Sequence, residues 1–435
     1  MNDITELEKL TTFLKQQLHN KSIDVGVKYK YYNAENTYKD FGIAVPIKMM
    51  NTKPGVGWAS RAVNTLSDRV VFDGFADDSF GINELFDRIG AKAVINGAKK
   101  DAHIAGVSFI AISDGRLIPF TAEEATGVYD DNTGRLKYGL AVLEWQADSE
   151  LNPQSLTNIP KRYAVFTPSY TAVYSNGWEI YPNPTGRTLL HHISHGSTAS
   201  QRLGRSRITK TVRRIIQEVA RVKRRYEIAG EFYSTPQRYL LGTEQEMTLE
   251  DKAKLDSTVG KVWAFSKDDD GDKPEVGQLP QMSINQFEEN KKGLARDFCT
   301  ETGLTLRNLG YGTANPNSAD SLIAMSDDLL LEAKSSQDEM GEQIRQLAIS
   351  LRMAIDGTGE VPERLLEIKT AWQPIFQVDL GATGDAIYKL SQVMPELIGT
   401  VEGYRMLGVG IRQAEELARR RLEASTNDFM RGGEL

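Results

Sequence analysis

The chain has 435 residues, 40% hydrophobic and 26% charged, with 37 Gly, 15 Pro, one Cys and a formal charge of -7. That length exceeds one ordinary core, so two or three structural units are expected, and the composition excludes a fibrous or wholly disordered chain. The single cysteine, Cys299, leaves no partner for an intrachain disulfide or a thiolate zinc site and reads as a buried small apolar residue.

Residues 5–20 have helix periodicity and mixed charge, unlike the basic and then apolar blocks of a signal peptide. Residues 29–41, rich in Tyr and Asn, read as a polar connector. Within 62–75, Arg69-Val70-Val71-Phe72 reads as a short strand ending at an Asp73-Gly74 turn. The spacing of Leu85, Ile89 and Ala93 predicts one helix over 82–99. The apolar run 105–112 reads as a strand that hairpins at Ser113-Asp114-Gly115 into 116–120, and it is far shorter than the roughly 20 apolar residues a membrane span needs. From 127 to 180, repeated β patterns separated by turns at 130–134 and Asn176-Gly177 predict an antiparallel meander.

The charge is uneven. Between Arg202 and Arg225 ten Lys or Arg stand against one acid, Glu218, so this stretch is +9 and the remainder of the chain -16. Ile208, Val212, Ile215, Val219, Val222 and Tyr226 recur at spacings of 4, 3, 4, 3, 4, which predicts a long helix over about 205–230 with a narrow apolar seam. Its basic residues Arg205, Arg207, Lys210, Arg213, Arg214 and Arg221 form either an ordinary solvated face or an electrostatic surface toward DNA or an acidic subunit. Pro236 ends the helix, and strands at 238–241 and 261–265 precede an acidic turn at 268–272. Helices follow at 285–300 and, after an irregular Gly-rich stretch at 303–317, at 318–355. The second is about 57 Å long at 1.5 Å per residue. A strand at 369–378 and helices near 384–397, 401–407 and 412–424 complete the pattern, with the last six residues as a tail.

Candidate chemistry is thin. His191, His192 and His195 form the one histidine cluster, but no Glu lies between them as a zinc hydrolase requires, so HHISH reads as a polar loop. The acidic turn at 268–272 fails the calcium-loop pattern because Lys273 stands where Gly is needed. Phosphate-binding loops, dinucleotide fingerprints and nucleophile elbows are missing from the sequence. Asp327 and Asp328 diverge by about 100° on a helix and read as solvated. Trp145, Trp178, Trp263 and Trp372 fall in predicted strands and read as packing. No metal and no cofactor is expected. A metal-dependent nuclease built on HHISH is a rival reading that would require metal-dependent cleavage.

NTLSDRVVFDGF (64–75), EFYSTPQRYLLG (231–242) and NPNSADSLIAMSDDLLLEAKSSQDEMG (315–341), in that order and with the basic helix before the second, resemble the portal proteins of tailed bacteriophages with long non-contractile tails. The resemblance spans about two thirds of the chain. It implies an α+β portal-like architecture: a β-rich wing at 1–202, a stem helix at 203–230, a small β clip at 231–282, a second stem helix at 283–302 and a tunnel loop at 303–317. A spine helix with a wing strand at 318–380 and a helical crown and tail at 381–435 complete it. It also implies a non-catalytic homo-oligomeric ring, a dodecamer, at one capsid vertex of the virion, assembled in host cytoplasm. Double-stranded DNA, the terminase, major capsid and scaffolding proteins and the head-tail adaptor are the implied partners. Arg307, Asn308 and Tyr311 become DNA-facing candidates in the tunnel loop, with Gly303, Gly310 and Gly312 as its hinges. Arg307 reads equally as a surface loop arginine. The inserted clip is short and the chain stops soon after its crown-like helices, which leaves the crown's size open. A rival reading is a soluble non-enzymatic DNA-binding protein using the basic 202–225 helix, although its β-branched seam and lack of a zipper count against groove insertion.

Overall fold

The computed structural model describes residues 2–38, 54–76, 80–149, 152–233, 238–241, 275–278, 283–312, 327–375, 388–389, 392 and 394–432. The strand at 261–265, the acidic turn at 268–272, Trp263, most of the clip and of the second half of the tunnel loop, and half of the helix at 384–397 lie outside these residues. The chain divides into two compact units, one built from Met1–Asn36, Gly57–Arg213 and Cys299–Leu435, the other from Thr37–Val56 and Arg214–Phe298.

In the first unit, helix α1 (Asn2–Tyr32) continues twelve residues beyond the predicted end and absorbs the start of the expected polar connector. Side-chain contacts override the weak helix propensity of its Tyr-rich end. The Tyr29 hydroxyl donates to Asp101 (3.1 Å), that of Tyr32 to Asn64 (2.9 Å), and Lys28 to the Ala105 carbonyl (3.0 Å). Leu7, Leu14 and Leu18 of α1 are buried against Leu140, Val142, Tyr163, Val165 and Ala172, with Trp145 and Trp178 packed at the margin. These belong to a five-stranded antiparallel sheet, β4 (Ala125–Asp130), β5 (Arg135–Ser149), β6 (Asn152–Phe166), β7 (Tyr170–Tyr174) and β8 (Trp178–Pro182), paired in chain order as the expected meander.

The opposite face of that sheet packs on a second one, ordered β3 (Arg116–Phe120), β2 (Val107–Ser113) and β9 (Leu190–Ser194), through Phe109, Ala111, Phe120, Ala141, Phe166 and Leu190. The β2–β3 hairpin turns where expected, with Asp114 at φ 49° and Gly115 at φ 69°, the left-handed pair that matches strand twist.

Two local expectations are overturned. Residues 58–67 form helix α2 (Trp58–Ser67), and strand β1 (Phe72–Ala76) runs straight through Asp73-Gly74 with a bulge instead of turning there. The tertiary cause is pairing with the remote strand β12 (Lys369–Trp372), with Phe72 opposite Trp372, and an edge-to-face cluster of Phe72, Phe75, Phe86 and Trp372 at 5.2–5.7 Å between neighbouring rings. The outer edge of β1 is closed by side chains. Asn83 accepts from the Phe75 amide (2.9 Å) and donates to its carbonyl (2.8 Å), and Asn96 does the same at Phe72 (3.1 and 3.2 Å). The single helix expected over 82–99 is two, α3 (Ile82–Ile89) and α4 (Ala91–Ala105), because Gly90 takes φ 67° and ends the first.

Helix α5 (Lys210–Tyr233) begins in the first unit, and helix α6 (Asn285–Thr302) ends there. Helix α7 (Asp327–Asp356) has 30 residues, about 45 Å at 1.5 Å per residue, and buries Leu329, Ala333, Met340, Ile344, Leu347 and Leu351. It lies close on β12: a Cβ at Gly341 would stand 2.6 Å from the Thr370 hydroxyl. Asp327 and Asp328 are exposed in its first described turn. Helices α8 (Val401–Met406) and α9 (Ile411–Gly432) follow. No helix among the described residues is long and apolar enough to cross a membrane.

In the second unit the described residues include most of α5, the start of α6 and a two-stranded ribbon, β10 (Arg238–Leu241) with β11 (Glu275–Gln278). Tyr226 meets Phe287 edge to face at 6.3 Å.

Candidate functional site

The expected basic helix starts later than its charge pattern suggests. Arg205 and Arg207 lie before α5, in a segment laid along the ends of β9 and α4 by backbone hydrogen bonds: Arg205 N to His195 O (2.7 Å), His195 N to Gly106 O (3.0 Å) and Arg207 N to His103 O (3.0 Å). Gly204 makes this approach possible. At φ 76°, a Cβ there would fall 2.4 Å from the Gly106 carbonyl oxygen and 2.7 Å from that of His195.

Arg207 is thereby carried into the interior, with its side chain 3% exposed. Its Nε donates to the Ala62 carbonyl of α2 (2.8 Å), one Nη to the Thr302 carbonyl at the end of α6 (2.5 Å), and the other Nη pairs with the Glu332 carboxylate of α7. One guanidinium therefore ties together the segment that leads into α5, the end of α6 and the long helix. Thr209 adds a second tie, its hydroxyl donating to Glu301 (3.0 Å). Burial pushes the Glu332 carboxyl up, but its hydrogen bond from His195 and the charge of Arg207 outweigh that and hold it below the usual carboxylate range.

From Glu332 a polar seam runs along α7 at spacings of 4, 3, 4, 3: Glu332, Ser336, Glu339, Gln343, Gln346. The Ser336 hydroxyl meets His195 Nδ1 (3.0 Å). Glu339 accepts from the Ser194 hydroxyl (3.0 Å) and from the amides of Gly196 (2.8 Å) and Ser197 (3.1 Å), and Gln343 accepts from the Ser194 amide (2.8 Å). HHISH is accordingly no polar loop but a strand and its end, with His191, His192 and His195 each 6–7% exposed. His192 packs on the Tyr129 ring (5.4 Å) and His195 on His103 (4.7 Å). Burial lowers His192 to about 4; burial, followed by His192, Arg187 and Arg135, lowers His191 to about 3. His103, fully buried, is held well below the usual range by burial and then by His195, Lys99 and Arg207. Among the described residues no group of three or more His, Cys, Asp or Glu is placed to hold a metal ion. Lys99, 2% exposed, donates to the carbonyls of Ser67 (2.9 Å) and Val70 at the end of α2.

On α5 itself, Ile208, just before it, and Val212, Ile215, Val219 and Val222 are 0–8% exposed, as the seam predicts, but Tyr226 is 40% exposed. Ile216 and Ala220 are buried as well, so the apolar face is broader than a two-position seam. Much of the basic charge is answered within the chain. Arg202 pairs with Asp131 (2.8 Å), Arg213 with Asp24 (3.4 Å), Arg214 and Arg221 with Glu218 (3.2 and 3.9 Å), and Lys223 donates to the Gly55 carbonyl (2.8 Å). Arg205, Lys210, Arg214 and Arg225 remain exposed.

The segment after α6 is ordered as far as it is described. Gly303 (φ 62°) ends the helix, and Leu306–Leu309 form a 3-10 turn closed by Gly310 (φ 86°). Asn308 is occupied by this turn: its side chain accepts from the Thr305 amide (2.9 Å) and hydroxyl (2.7 Å), and its carbonyl accepts from Arg61 (2.8 Å). Arg307 is exposed, Tyr311 is half-buried and Gly312 is exposed without a left-handed backbone. Cys299, expected buried, is half-buried, its thiol pushed up to about 11 by burial.

The sequence reading passed over Glu332, Lys99 and His103. A heptad-spaced row of polar residues on a helix otherwise read for its apolar stripe was the available signal for Glu332; no local signal marks the other two.

No family model matches the chain. It is similar to the portal protein of Mycobacterium phage D29, 23% identical over 417 residues, covering 89% of this chain and 83% of that protein. It is also similar to the portal protein of Mycobacterium phage L5, 22% identical over 423 residues, covering 92% and 85%. Among solved structures, a chain from the neck of a native GTA particle, computed with C12 symmetry, aligns with TM-score 0.45 and 12% identity over 83% of this chain and 93% of that one. A chain from the neck of an empty GTA particle, computed with C6 symmetry, aligns with TM-score 0.43 and 12% identity over 85% and 96%.

Proposed function

We propose that this chain is the subunit of a phage portal, a structural protein whose copies close into a ring around a DNA channel at one vertex of the capsid. The observation that carries this reading is similarity to two mycobacteriophage portal proteins along about nine tenths of the chain. In this reading the ring has twelve copies, the terminase docks on it during packaging, the head-tail adaptor docks later, and the capsid and scaffolding proteins surround it. The α1–β9 region is the wing, α5 and α6 are the stem, the ribbon β10–β11 belongs to the clip, α7 is the spine, and α8 and α9 belong to the crown.

The charge pairing along the chain supports a mechanical role. A portal must hold duplex DNA loosely, because each phosphate contact gives a salt-dependent grip that would stall translocation. Pairing Arg202, Arg207, Arg213, Arg214 and Arg221 within the chain removes much of the free positive charge. Arg307, exposed on a capped turn, is the candidate for DNA contact; Asn308 holds the turn and Tyr311 flanks it. Gly303 and Gly310 are where the segment can swing. Arg207 would keep the feet of the two stem helices and the spine moving as one piece.

The test is the mass of purified protein by light scattering behind a sizing column, with negative-stain images of the same fraction. Rings of about twelve subunits with a central hole, the closed symmetry such assemblies adopt, are expected. A compact monomer that binds short duplexes would overturn the reading in favour of a soluble DNA-binding protein.

A further inference from the structure

Among the described residues β12 pairs with β1 alone, and a sheet of two strands is marginal by itself. Asn83 and Asn96 close the far edge of β1, so this sheet can grow only beyond β12. The Gln373 amide donates to the Val71 carbonyl (2.9 Å), so alternate residues from Gln373 back through Ala371 turn their backbone groups toward β1. Thr370 and Trp372 turn theirs away, and those groups meet no hydrogen-bond partner among the described residues. Along this outer side runs a groove of about 900 Å³, between the stretch of α7 around Gly341 and Leu366, Ile368, Thr370 and Trp372. At its end the Leu366 carbonyl already accepts from Arg345 (2.6 Å).

The five-stranded sheet of the same unit ends in another open edge, β8. The Asn183 amide donates to the Ser169 carbonyl (2.8 Å) and the Ser175 amide to the Gly177 carbonyl (3.2 Å), which sets the alternation in this hairpin. Glu179 and Tyr181 therefore face β7, Trp178 and Ile180 turn their backbone groups outward, and Pro182 ends the strand without an N–H. Ile180 is 50% exposed and Tyr181 53%. The side-chain faces of the two edges also correspond. Trp178 packs beside Leu7, Leu14 and Leu18 of α1, and Ile180 follows it on that face. On β12, Thr370 and Trp372 face α7, for a Cβ at Gly341 would stand 2.6 Å from the Thr370 hydroxyl and 3.6 Å from Trp372 Nε1.

We propose that β8 of one copy of this chain enters the groove of the next copy and pairs antiparallel with its β12, Ile180 opposite Thr370 and Trp178 opposite Trp372. The proposal rests on the portal reading and names one contact through which the ring closes. Both pairs exchange backbone hydrogen bonds that each edge leaves unmade in the single chain. Directly opposed residues share a face, so α1 of one copy and α7 of the next cover the same side of one continuous sheet, with Ile180 between them. On the other side exposed Glu179 lies diagonal to exposed Lys369, opposite charges within reach of each other. Because the two edges differ, the contact is head to tail: it passes from copy to copy and closes as a ring, never as a symmetric pair.

The experiment uses the full chain carrying Cys299→Ser, Tyr181→Cys and Lys369→Cys. In the proposed register positions 181 and 369 are directly opposed with Cα atoms about 4.5 Å apart, within disulfide reach. Mild oxidation should give a ladder of covalent multimers up to ring size on non-reducing gels, and chains with either cysteine alone should give none. Ile180→Pro is the second variant. The N–H it removes points away from β7, so the chain should keep the native circular dichroism spectrum. It leaves the Thr370 carbonyl of the next copy without a donor and should weaken ring formation about tenfold or more in sizing runs. If Ile180→Pro does not fold, the cysteine pair decides. Native rings with no ladder from the cysteine pair, or rings undiminished in folded Ile180→Pro, overturn this pairing and leave the portal reading standing. Dimers cross-linked through Tyr181→Cys alone overturn it in favour of a symmetric β8 contact. A native chain that forms no rings overturns both readings.

Discussion

Replacing Arg207 with Met should weaken the first unit more than most single substitutions, and its size follows from the contacts. Met fills much of the volume but donates nothing, so the Ala62 and Thr302 carbonyls lose a charged donor, each hydrogen bond of this kind being worth about 1.5–3 kcal/mol. Glu332 is left without its cation, but its side chain is 33% exposed, so water offsets much of that loss. A net cost of about 4 kcal/mol is expected. With a urea m-value of about 3 kcal/mol/M for a unit of this size, the midpoint should fall by about 1.3 M with m unchanged. Trp58, Trp145, Trp178 and Trp372, all in this unit, report the transition by fluorescence. Adding Glu332→Gln to Arg207→Met should recover about 1–2 kcal/mol, since contacting charges couple by about that much. A midpoint for Arg207→Met within about 0.3 M of native, well inside the expected shift, would refute the hub as a stabilising junction.

Val219, 1% exposed, should not tolerate a charge: Val219→Asp is expected to cost several kcal/mol, roughly 3–5, and to abolish ring formation in sizing and negative-stain images. Stability should fall on acidification. His103, His191 and His192 are held below the ordinary histidine value of about 6.5, so the unfolded chain binds more protons. Their contribution is intact above about pH 6.5 and is lost as pH drops toward the folded values, by about 2 kcal/mol per histidine at pH 5. Urea midpoints between pH 7.5 and 5 measure this, and a flat profile would contradict it. Asn308→Ala removes the acceptor that caps the 3-10 turn and should cost about 1 kcal/mol. Arg307→Ala should leave stability within about 0.5 kcal/mol and ring assembly unchanged while altering DNA packaging.

Elements held by local signals were legible in the sequence. The β2–β3 turn was written in Ser113-Asp114-Gly115, the meander in its alternation, and the buried face of α5 in its β-branched spacing. Remote partners decided the rest. Strand β1 could not be told from a turn at Asp73-Gly74, because its bulged course depends on residues 369–372. Arg205 and Arg207 looked helical because charge spacing does not show that Gly204 bends the chain onto His195 and Gly106. HHISH looked like a loop because its Ser and Gly neighbours are polar; those polar groups are the ones that α7 receives. Counting charges between Arg202 and Arg225 suggested an external anion, whereas Asp24, Asp131 and Glu332 answer much of it from up to 189 positions away in the chain.

The pairing of β1 with β12 also sets a clock on synthesis. Phe72 and Trp372 are 300 positions apart, so at a ribosomal rate of about 5–20 residues per second β1 waits about 15–60 s for its strand partner among the described residues. During that wait Asn83 and Asn96, made within seconds of β1, already occupy its outer edge, leaving a single edge open to nascent neighbours on the same message. The first unit therefore cannot close before most of the chain has been translated.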